Sequence, residues 1–289
     1  MKIVITGAGG LVGSHLVRRL AVEHEVVALK HRDLDITHPE AVRRRIVGEK
    51  PALVINCAVV SVDDCERNPD LAQAINVEGP RALAESARDI GAAILHFSTN
   101  YVFDGEKTER EPYTTEDRPS PINVYGRTKA AGEEAVRENC ARASIIRTSW
   151  IYGVGGENFL SRAPRDLAAA KEVCAVTDVW ASTTYVADLS MRVLEILARG
   201  RYGVYHVVNE GICSYYEFAV DAGRLLGLSE VRIAALVEAI NEEDAKRLAR
   251  RPRYTPMRCR LSEAIGLPPL RHWRLALADY VRRLAENRP

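Results

Sequence analysis

The stretch KIVITGAGGLVG, residues 2–13, decides how the rest of the chain is read. Lys2 to Thr6 is a short β-branched run of the kind that forms a buried strand. Gly7, Gly10 and Gly13 follow in GxxGxxG spacing. From Gly10 to about Ala21 the apolar residues Leu11, Val12, Leu16, Val17 and Leu20 recur at helical spacing. A glycine at the first position allows a tight turn, at the second lets backbone amides approach a pyrophosphate, and at the third lets helix and strand pack closely. The helix N-terminus then presents oriented N–H groups and a positive dipole to an anion. Such a pattern gains its meaning from context, here the first strand–turn–helix of a chain that continues in βαβ rhythm.

Outward from this unit, EVVAL (25–29), ALVIN (52–56), AAILHFS (92–98) and ASIIRTS (143–149) read as further strands. Between them, helices are predicted over 70–90, with Leu71, Ile75, Leu83 and Ala87 on one side, and from Tyr125 to about Glu138. Strands alternating with helices of this length imply an α/β fold, a doubly wound parallel Rossmann sheet with helices on both faces and right-handed crossovers. The nucleotide-binding domain is expected to span residues 1–150. After Trp150 glycines cluster in YGVGGENF (152–159), and helices are expected at 158–170, 184–199, 215–227 and 272–286, with strands near 173–176 and 204–208. Pro252, Pro256, Pro268 and Pro269 break the tail into loops. Residues 151–289 are therefore expected to form a smaller α+β substrate lobe, partly interleaved with the sheet.

Composition narrows the partners. Of 289 residues, 47% are hydrophobic and 27% charged, which suits a globular chain with a real core. The 40 Lys and Arg nearly balance the 39 Asp and Glu, so neither nucleic acid nor an anionic membrane is expected as a partner. No apolar run approaches the roughly 18 residues that span a bilayer. MKIVITG leads straight into a strand, without the pattern of a signal peptide. Cys57, Cys65, Cys140, Cys174, Cys213 and Cys259 are scattered and form no CxxC pair, so no metal site is expected. These features together point to reduced thiols in a cytoplasmic protein.

A site for NAD usually carries an acid at the end of the second strand to hold the ribose 2′-hydroxyl. Here Lys30, His31 and Arg32 occupy that place, and the first acid is Asp33. Cations there would attract a 2′-phosphate, so NADP(H) is expected over NAD(H). Asp35 and Ile36 fall where adenine rests, and Cys57, Ala58 and Val59 follow the third strand, where small residues let a cofactor lie against the backbone.

Two further blocks carry chemistry. STNYVFDG (98–105) follows a strand and NVYGRTKAAGE (123–133) begins a helix. Tyr125 and Lys129 are four apart, so both project from one helix face. Reduction of a ketone needs a proton for the oxygen as hydride reaches the carbon. A phenol near pKa 10 exchanges protons poorly at neutral pH unless a cation favours its anion. Lys129 can supply that charge and also bond a nicotinamide ribose. Thr99, ending the preceding strand, can donate a hydrogen bond to the developing oxyanion.

With these residues in view, the chain resembles the extended short-chain dehydrogenase/reductase superfamily, and within it the dTDP-4-dehydrorhamnose reductase family. ITGAGGLVG (5–13), DLDIT (33–37), VINCA (54–58), INVEGPRALAE (75–85), STNYVFDG, SPINVYGRTKAAGE (120–133) and RTSWIYG (147–153) are similar to that family's blocks. The resemblance implies NADPH-dependent reduction of a nucleotide-linked 4-keto sugar by Thr99, Tyr125 and Lys129, with Tyr125 as proton donor. It also implies that Gly10, Leu11 and Val12 meet the cofactor and that Trp150 lies near the sugar nucleotide. Asn158, Arg162 and Arg165, at the start of a lobe helix, are further candidates for substrate contact. The chain departs from the family in four places. Asn100 stands where an Asp is usual beside the substrate, and CAVVSVDDCE (57–66) is one residue short. Asp178 to Thr184 replaces an Asp-Gln-x-Gly-x-Pro-Thr element, and Arg258 replaces an acid. Two alternatives keep the same cofactor half: a sugar-nucleotide epimerase or dehydratase, and an NAD(P)-binding regulatory subunit resembling that of methionine adenosyltransferase. Helices 70–90 and 125–139 could pair two copies in a homodimer or stay solvated.

Overall fold

In the computed structural model, which describes residues 1–107 and 111–286, the β-branched runs become the strands of one parallel sheet. β1 (Lys2–Thr6), β2 (Glu25–Leu29), β3 (Leu53–Asn56), β4 (Ala93–Thr99) and β5 (Ala143–Thr148) come from the first half. The sixth is the short strand Gly203–His206, which pairs in parallel with β5. Counted from that edge strand, the order is β5, β4, β3, β1, β2. β4 is buried along its whole length, as a strand covered on both faces must be. The order reverses between β1 and β3, and their carboxyl ends open the crevice where such sheets take ligands.

Helices cover both faces. α1 (Leu11–Leu20) lies on one face with the later helix Val186–Arg199, through Leu16, Leu20, Leu189, Val193 and Ile196. On the other face lie α2 (Pro39–Glu49) and, beyond the short α3 (Val62–Arg67) and α4 (Pro69–Gln73), α5 (Gly79–Asp89) and α6 (Val124–Asn139). Val42, Ile46, Leu83, Ala87 and Val136 are fully buried there. Each large apolar side chain so covered contributes roughly 1.5–3 kcal/mol.

α2 and the segment 70–90 differ from the sequence reading. α2 is invisible to periodicity because in PEAVRRRIVGE only Val42 and Ile46 are buried, and three arginines separate them. The segment 70–90 is α4, a π-helical turn (Ala74–Glu78) and α5 rather than one α-helix. A π-turn inserts a residue and rotates the face that precedes it. Leu71 is therefore 40% exposed, and Ala72 packs inward in its place.

The remainder of the chain forms a second layered body on the sheet's carboxyl side. β6 (Ile151–Tyr152) leads to α7 (Phe159–Ala168), β7 (Val173–Val176), β8 (Trp180–Ala181) and β9 (Thr184–Tyr185). α8 (Val186–Arg199) and β10 (Gly203–His206) then return to the main sheet. β11 (Asn209–Glu210), β12 (Cys213–Ser214), α9 (Tyr215–Leu225), α10 (Glu230–Leu236), β13 (Val237–Ile240), β14 (Tyr254–Thr255), α11 (Arg260–Ala264), β15 (Leu270–His272) and α12 (Trp273–Glu286) complete it. Its core is aromatic, with Tyr152, Tyr185, Phe218, Trp273 and Tyr280 buried together. β13, unread in the sequence, pairs with β7. Among the described residues no helix is long and apolar enough to cross a membrane.

Candidate active site

The glycine loop takes the shape its spacing demands. Gly7 has φ +66°, and a Cβ there would meet the backbone of Cys57 and Ala58 at 2.5 Å. Gly13, in the first turn of α1, packs on the loop so closely that a Cβ would strike the Gly7 carbonyl and approach Ala8 Cα to 2.8 Å. Gly10 caps α1 with backbone only, and no protein atom forbids a Cβ there, so its missing side chain leaves open space. The open space is a cleft of about 430 Å³ lined by Gly7, Gly9, Gly10, His31, Asp35, Ile36, Cys57, Ala58 and Val59. An apolar floor, a side-chain-free loop and an acid-free first turn of α1 fit the phosphates and adenine of a dinucleotide.

The basic segment borders this cleft. The Lys30 side chain runs beside Gly9, and His31 lines the cleft. Arg32 is exposed and only loosely paired with Asp33, at 3.7 Å. Asp35 is folded back on its own turn: its Oδ1 accepts from the backbone N–H and hydroxyl of Thr37 at 2.9 and 2.8 Å.

At the carboxyl end of β4 the predicted catalytic residues meet. Thr99 is buried beside Tyr125; its hydroxyl oxygen accepts from the Tyr101 backbone N–H at 3.1 Å and its proton goes to Asn100 Oδ1 at 3.2 Å. Tyr125 starts α6, whose N-cap Asn123 accepts from the Gly126 N–H at 2.7 Å. Burial pushes the Tyr125 phenol above its ordinary pKa, against a smaller downward pull from the Thr99 hydrogen bond. Lys129, one turn on, is 2% exposed. Burial brings its pKa down to about 8, against the upward pull of Glu133. Its Nζ donates to the Phe97 carbonyl and lies 3.3 Å from His96 Nε2. Tyr125 thus keeps its proton, with the Thr99 hydroxyl beside it.

The sequence profile of the family described as "RmlD substrate binding domain" matches residues 1–286. The chain is 38% identical to the spore coat polysaccharide biosynthesis protein SpsK of Bacillus subtilis, over 97% of each chain. It is 39% identical to the dTDP-4-dehydrorhamnose reductase of Mycobacterium tuberculosis, over 96% of this chain and 91% of that one. The dTDP-4-dehydrorhamnose reductase of Bacillus anthracis, solved in complex with NADP, superposes with a TM-score of 0.91 at 33% identity, covering 98% and 99% of the two chains. The chain belongs to the dTDP-4-dehydrorhamnose reductase family. That family lies within the extended short-chain dehydrogenase/reductases.

Where the chain departs from this reductase family, the structure gives the new residues partners. Asn100 accepts from the Thr99 hydroxyl at 3.2 Å and donates to Thr255 Oγ1 at 2.7 Å, tying the end of β4 to β14. Asp63, within the shortened block, accepts from Arg251 at 3.0 Å and from the Ala249 N–H at 3.0 Å. Arg258 is bound bidentately by Glu263 at the surface. Trp150 is held at φ +40°, a left-handed conformation rare for so bulky a residue, and stacks on Tyr215 at 3.8 Å. Its indole N–H is buried without a partner among the described residues.

Asn158 and Arg165 are held structurally. Asn158 caps α7 through the Ser161 N–H and donates to the Ile151 carbonyl at 2.7 Å, and Arg165 pairs with Glu157 at 3.1 Å. Arg162 is exposed. Sequence reasoning missed the aromatic and basic cluster that begins at Tyr101, the neighbour of Tyr125. Tyr101 meets the Tyr125 ring edge-on at 5.9 Å, and Arg251 lies over Tyr101 at 6.0 Å. Arg247 covers Tyr215 at 5.2 Å and reaches Glu242 at 3.3 Å. These come from segments 150 residues apart, and no local pattern connects them. Asn56, His96 and Ser98 were also missed, although period-2 alternation along β4 does put His96 and Ser98 on one face, toward α6.

Proposed function

We propose that this chain reduces a nucleotide-linked 4-keto sugar, of the dTDP-4-dehydrorhamnose type, with NADP(H) as its cofactor. The observation that carries the reading is the Thr99–Tyr125 hydroxyl pair, held at the carboxyl end of β4 beside a cleft built for a dinucleotide. Full-length likeness to named reductases supports it. Gly7, Gly10, Leu11, Val12 and Gly13 hold the pyrophosphate, Asp35 and Ile36 border the adenine, and Cys57, Ala58 and Val59 form the floor. A reduced nicotinamide bound there supplies the hydride for the keto carbon. Tyr125 passes its phenolic proton to the keto oxygen, and Thr99 steadies that oxygen by a hydrogen bond. Burial favours this direction of proton transfer, because a phenol raised above its ordinary pKa remains protonated until negative charge develops beside it. Asn100 and Trp150 meet the sugar nucleotide, with Asn158 at the rim. Residues 151–289, partly interleaved with the sheet, carry most of that substrate lobe.

The test is a screen of dTDP-, UDP- and GDP-linked 4-keto sugars with NADPH, followed by loss of nicotinamide absorbance. Turnover of the dTDP sugar is expected, and Tyr125→Phe should abolish it while leaving cofactor affinity nearly unchanged. Full activity in that variant would end the mechanism. Lys30, His31 and Arg32 favour a 2′-phosphate, so NADPH is the preferred cofactor. In Lys30→Ala/Arg32→Ala the preference in kcat/KM for NADPH over NADH should fall by about tenfold or more, the worth of a charge-assisted hydrogen bond. An unchanged ratio would assign the preference elsewhere.

A further inference from the structure

A run of aromatic rings and guanidinium groups leads from Tyr125 into the second body. Tyr101 meets the Tyr125 ring at 5.9 Å, and Arg251 lies over Tyr101 at 6.0 Å. Arg251 and Arg247 share the loop 241–253, between β13 and β14. The Arg247 guanidinium lies 5.2 Å from the ring of Tyr215, the first residue of α9, and Trp150 stacks on that same ring at 3.8 Å. Burial pushes the Tyr101 phenol above its ordinary pKa, and the charges of Arg251 and Arg247 pull it back. Both cations therefore stand close to the neighbour of the proton donor.

The two arginines are held in different ways. Arg251 is 8% exposed, and its Nη2 and Nη1 donate to Asp63 Oδ1 and to the Ala249 carbonyl at 3.0 and 2.9 Å. Arg247 keeps 25% of its side chain exposed. Among the described residues its one carboxylate partner is Glu242, with Oε2 at 3.3 Å. That pair is poorly aligned, because the same Oε2 is buried yet accepts no hydrogen bond among the described residues. Burial pushes the Glu242 carboxyl above its ordinary pKa, against the pull of Arg247 and Arg251. Asp178, from the turn between β7 and β8, and Asp63, from α3, face it with like charge. Asp178 is fixed there, since its Oδ1 accepts from the Glu242 backbone N–H at 2.7 Å. A buried carboxylate with like charges around it and a misaligned partner is easily given up.

We propose that Arg247 binds the diphosphate of a sugar nucleotide in exchange for Glu242, which holds the arginine until the ligand arrives and then takes up a proton. The proposal rests on the reading of the chain as a sugar-nucleotide reductase. The diphosphate joins nucleoside to sugar, so a keto sugar against Tyr125 brings two negative charges toward the adjoining cations. Of these Arg251 is committed to Asp63, and Arg247 is open. A planar guanidinium can hold two phosphate oxygens at once, a better geometry than its single contact with Glu242. Negative charge on the ligand penalises the displaced carboxylate further, so Glu242 takes its proton from solvent.

The test uses the intact protein saturated with NADPH, and dTDP-glucose and UDP-glucose as ligands. Both are diphosphate diesters that stay ionised across the range used, and neither has a keto group, so binding is read without turnover. Calorimetry at pH 6 in buffers of different ionisation enthalpy should show net proton uptake, and affinity should fall as the pH is raised to 8. Glu242→Gln should abolish the uptake and tighten binding by about threefold, the worth of one exposed charge contact. Arg247→Gln should weaken binding by about tenfold, the worth of a charge-assisted hydrogen bond. Unchanged NADPH affinity in both variants shows that the fold is intact. Uptake that persists in Glu242→Gln, weaker binding in that variant, or Arg247→Gln binding like wild type would overturn the proposal. So would failure of wild type to bind either ligand. Binding that depends on Arg247 without reduction of any keto sugar would sink the reductase reading alone, and reduction with binding indifferent to Arg247 would sink this one alone.

Discussion

Thr99 shows how much rests on one hydroxyl. Its oxygen accepts from the Tyr101 N–H and its proton goes to Asn100 Oδ1 at 3.2 Å, so the hydroxyl is already held in place. Preorganised donors of this kind stabilise a developing oxyanion by roughly 3–4 kcal/mol, about 10²–10³ in rate. Thr99→Val preserves the β-branched shape that β4 requires and removes only the hydroxyl. The expected outcome is a fall of about 10²-fold or more in kcat, with the dissociation constant for NADPH, read by fluorescence titration, moving less than about threefold. A loss confined to cofactor binding would show that Thr99 serves the fold and not the chemistry.

α6 carries Tyr125, Lys129 and Glu133 on one face because they are separated by four residues, and β4 offers Thr99, His96 and Ser98 to meet them. Registry between the two depends on how close α6 sits to the π-turn at Ala74–Glu78. Gly132 sets that distance, since a Cβ there would strike the Asn76 carbonyl. Thr128 adds a hydrogen bond from Asn76 at 3.1 Å, one turn earlier on α6. In a helix interior Ala is intrinsically favoured over Gly by about 1 kcal/mol. The clash is with backbone, which cannot rotate away, and overpacking of that kind destabilises by about 1–3 kcal/mol. Gly132→Ala should therefore lower stability in urea despite its better propensity. It should also reduce kcat about tenfold by lifting Lys129 and Tyr125 off β4. A more stable variant would mean that the contact is looser than the geometry describes.

Across the molecule, stability depends on polar groups buried between the sheet and its neighbours. Arg147 and Glu133 are 4% and 3% exposed and pair bidentately, an arrangement whose breakage by removing one partner typically destabilises by about 3–5 kcal/mol. Beside Arg147, in register on β10, His206 donates from Nδ1 to the carbonyls of Tyr113 and Arg258 at 3.2 and 3.1 Å. Burial, and next the Arg147 charge, lowers its pKa to about 3. The folded pKa is below the unfolded value near 6.5, so between pH 6.5 and 3 the unfolded chain binds more protons. This contribution to stability is complete above pH 6.5 and is lost as pH falls through that window. Each such proton adds a slope of up to about 1.4 kcal/mol per pH unit. Urea midpoints should therefore drop steeply from pH 7 to pH 5, and His206→Asn should flatten the slope even where it lowers the midpoint at pH 7. An equal slope in wild type and variant would remove His206 from the account.

The dinucleotide cleft was legible in the chain because its parts are local. Gly7, Gly10, Gly13 and the strand before them lie within twelve residues, and Tyr125 and Lys129 within one helical turn, so spacing translates directly into geometry. Strand periodicity likewise foretold β1 to β5. α2 was not legible, because its buried stripe is two residues wide among arginines. Neither was the exposure of Leu71, which depends on a π-turn whose Asn76 packs against Gly132. The partners of Lys129 Nζ, the packing of Tyr101 on Tyr125, and the placement of Arg251 over Tyr101 and Arg247 over Tyr215 belong to tertiary structure. Each joins residues from different elements through burial and hydrogen-bond direction, and those forces have no period along the chain. The stretch from Lys2 to Gly13 thus settled the shape of the glycine loop that lines the cleft. Only the packing of α6 on β4 settled which groups Lys129 meets.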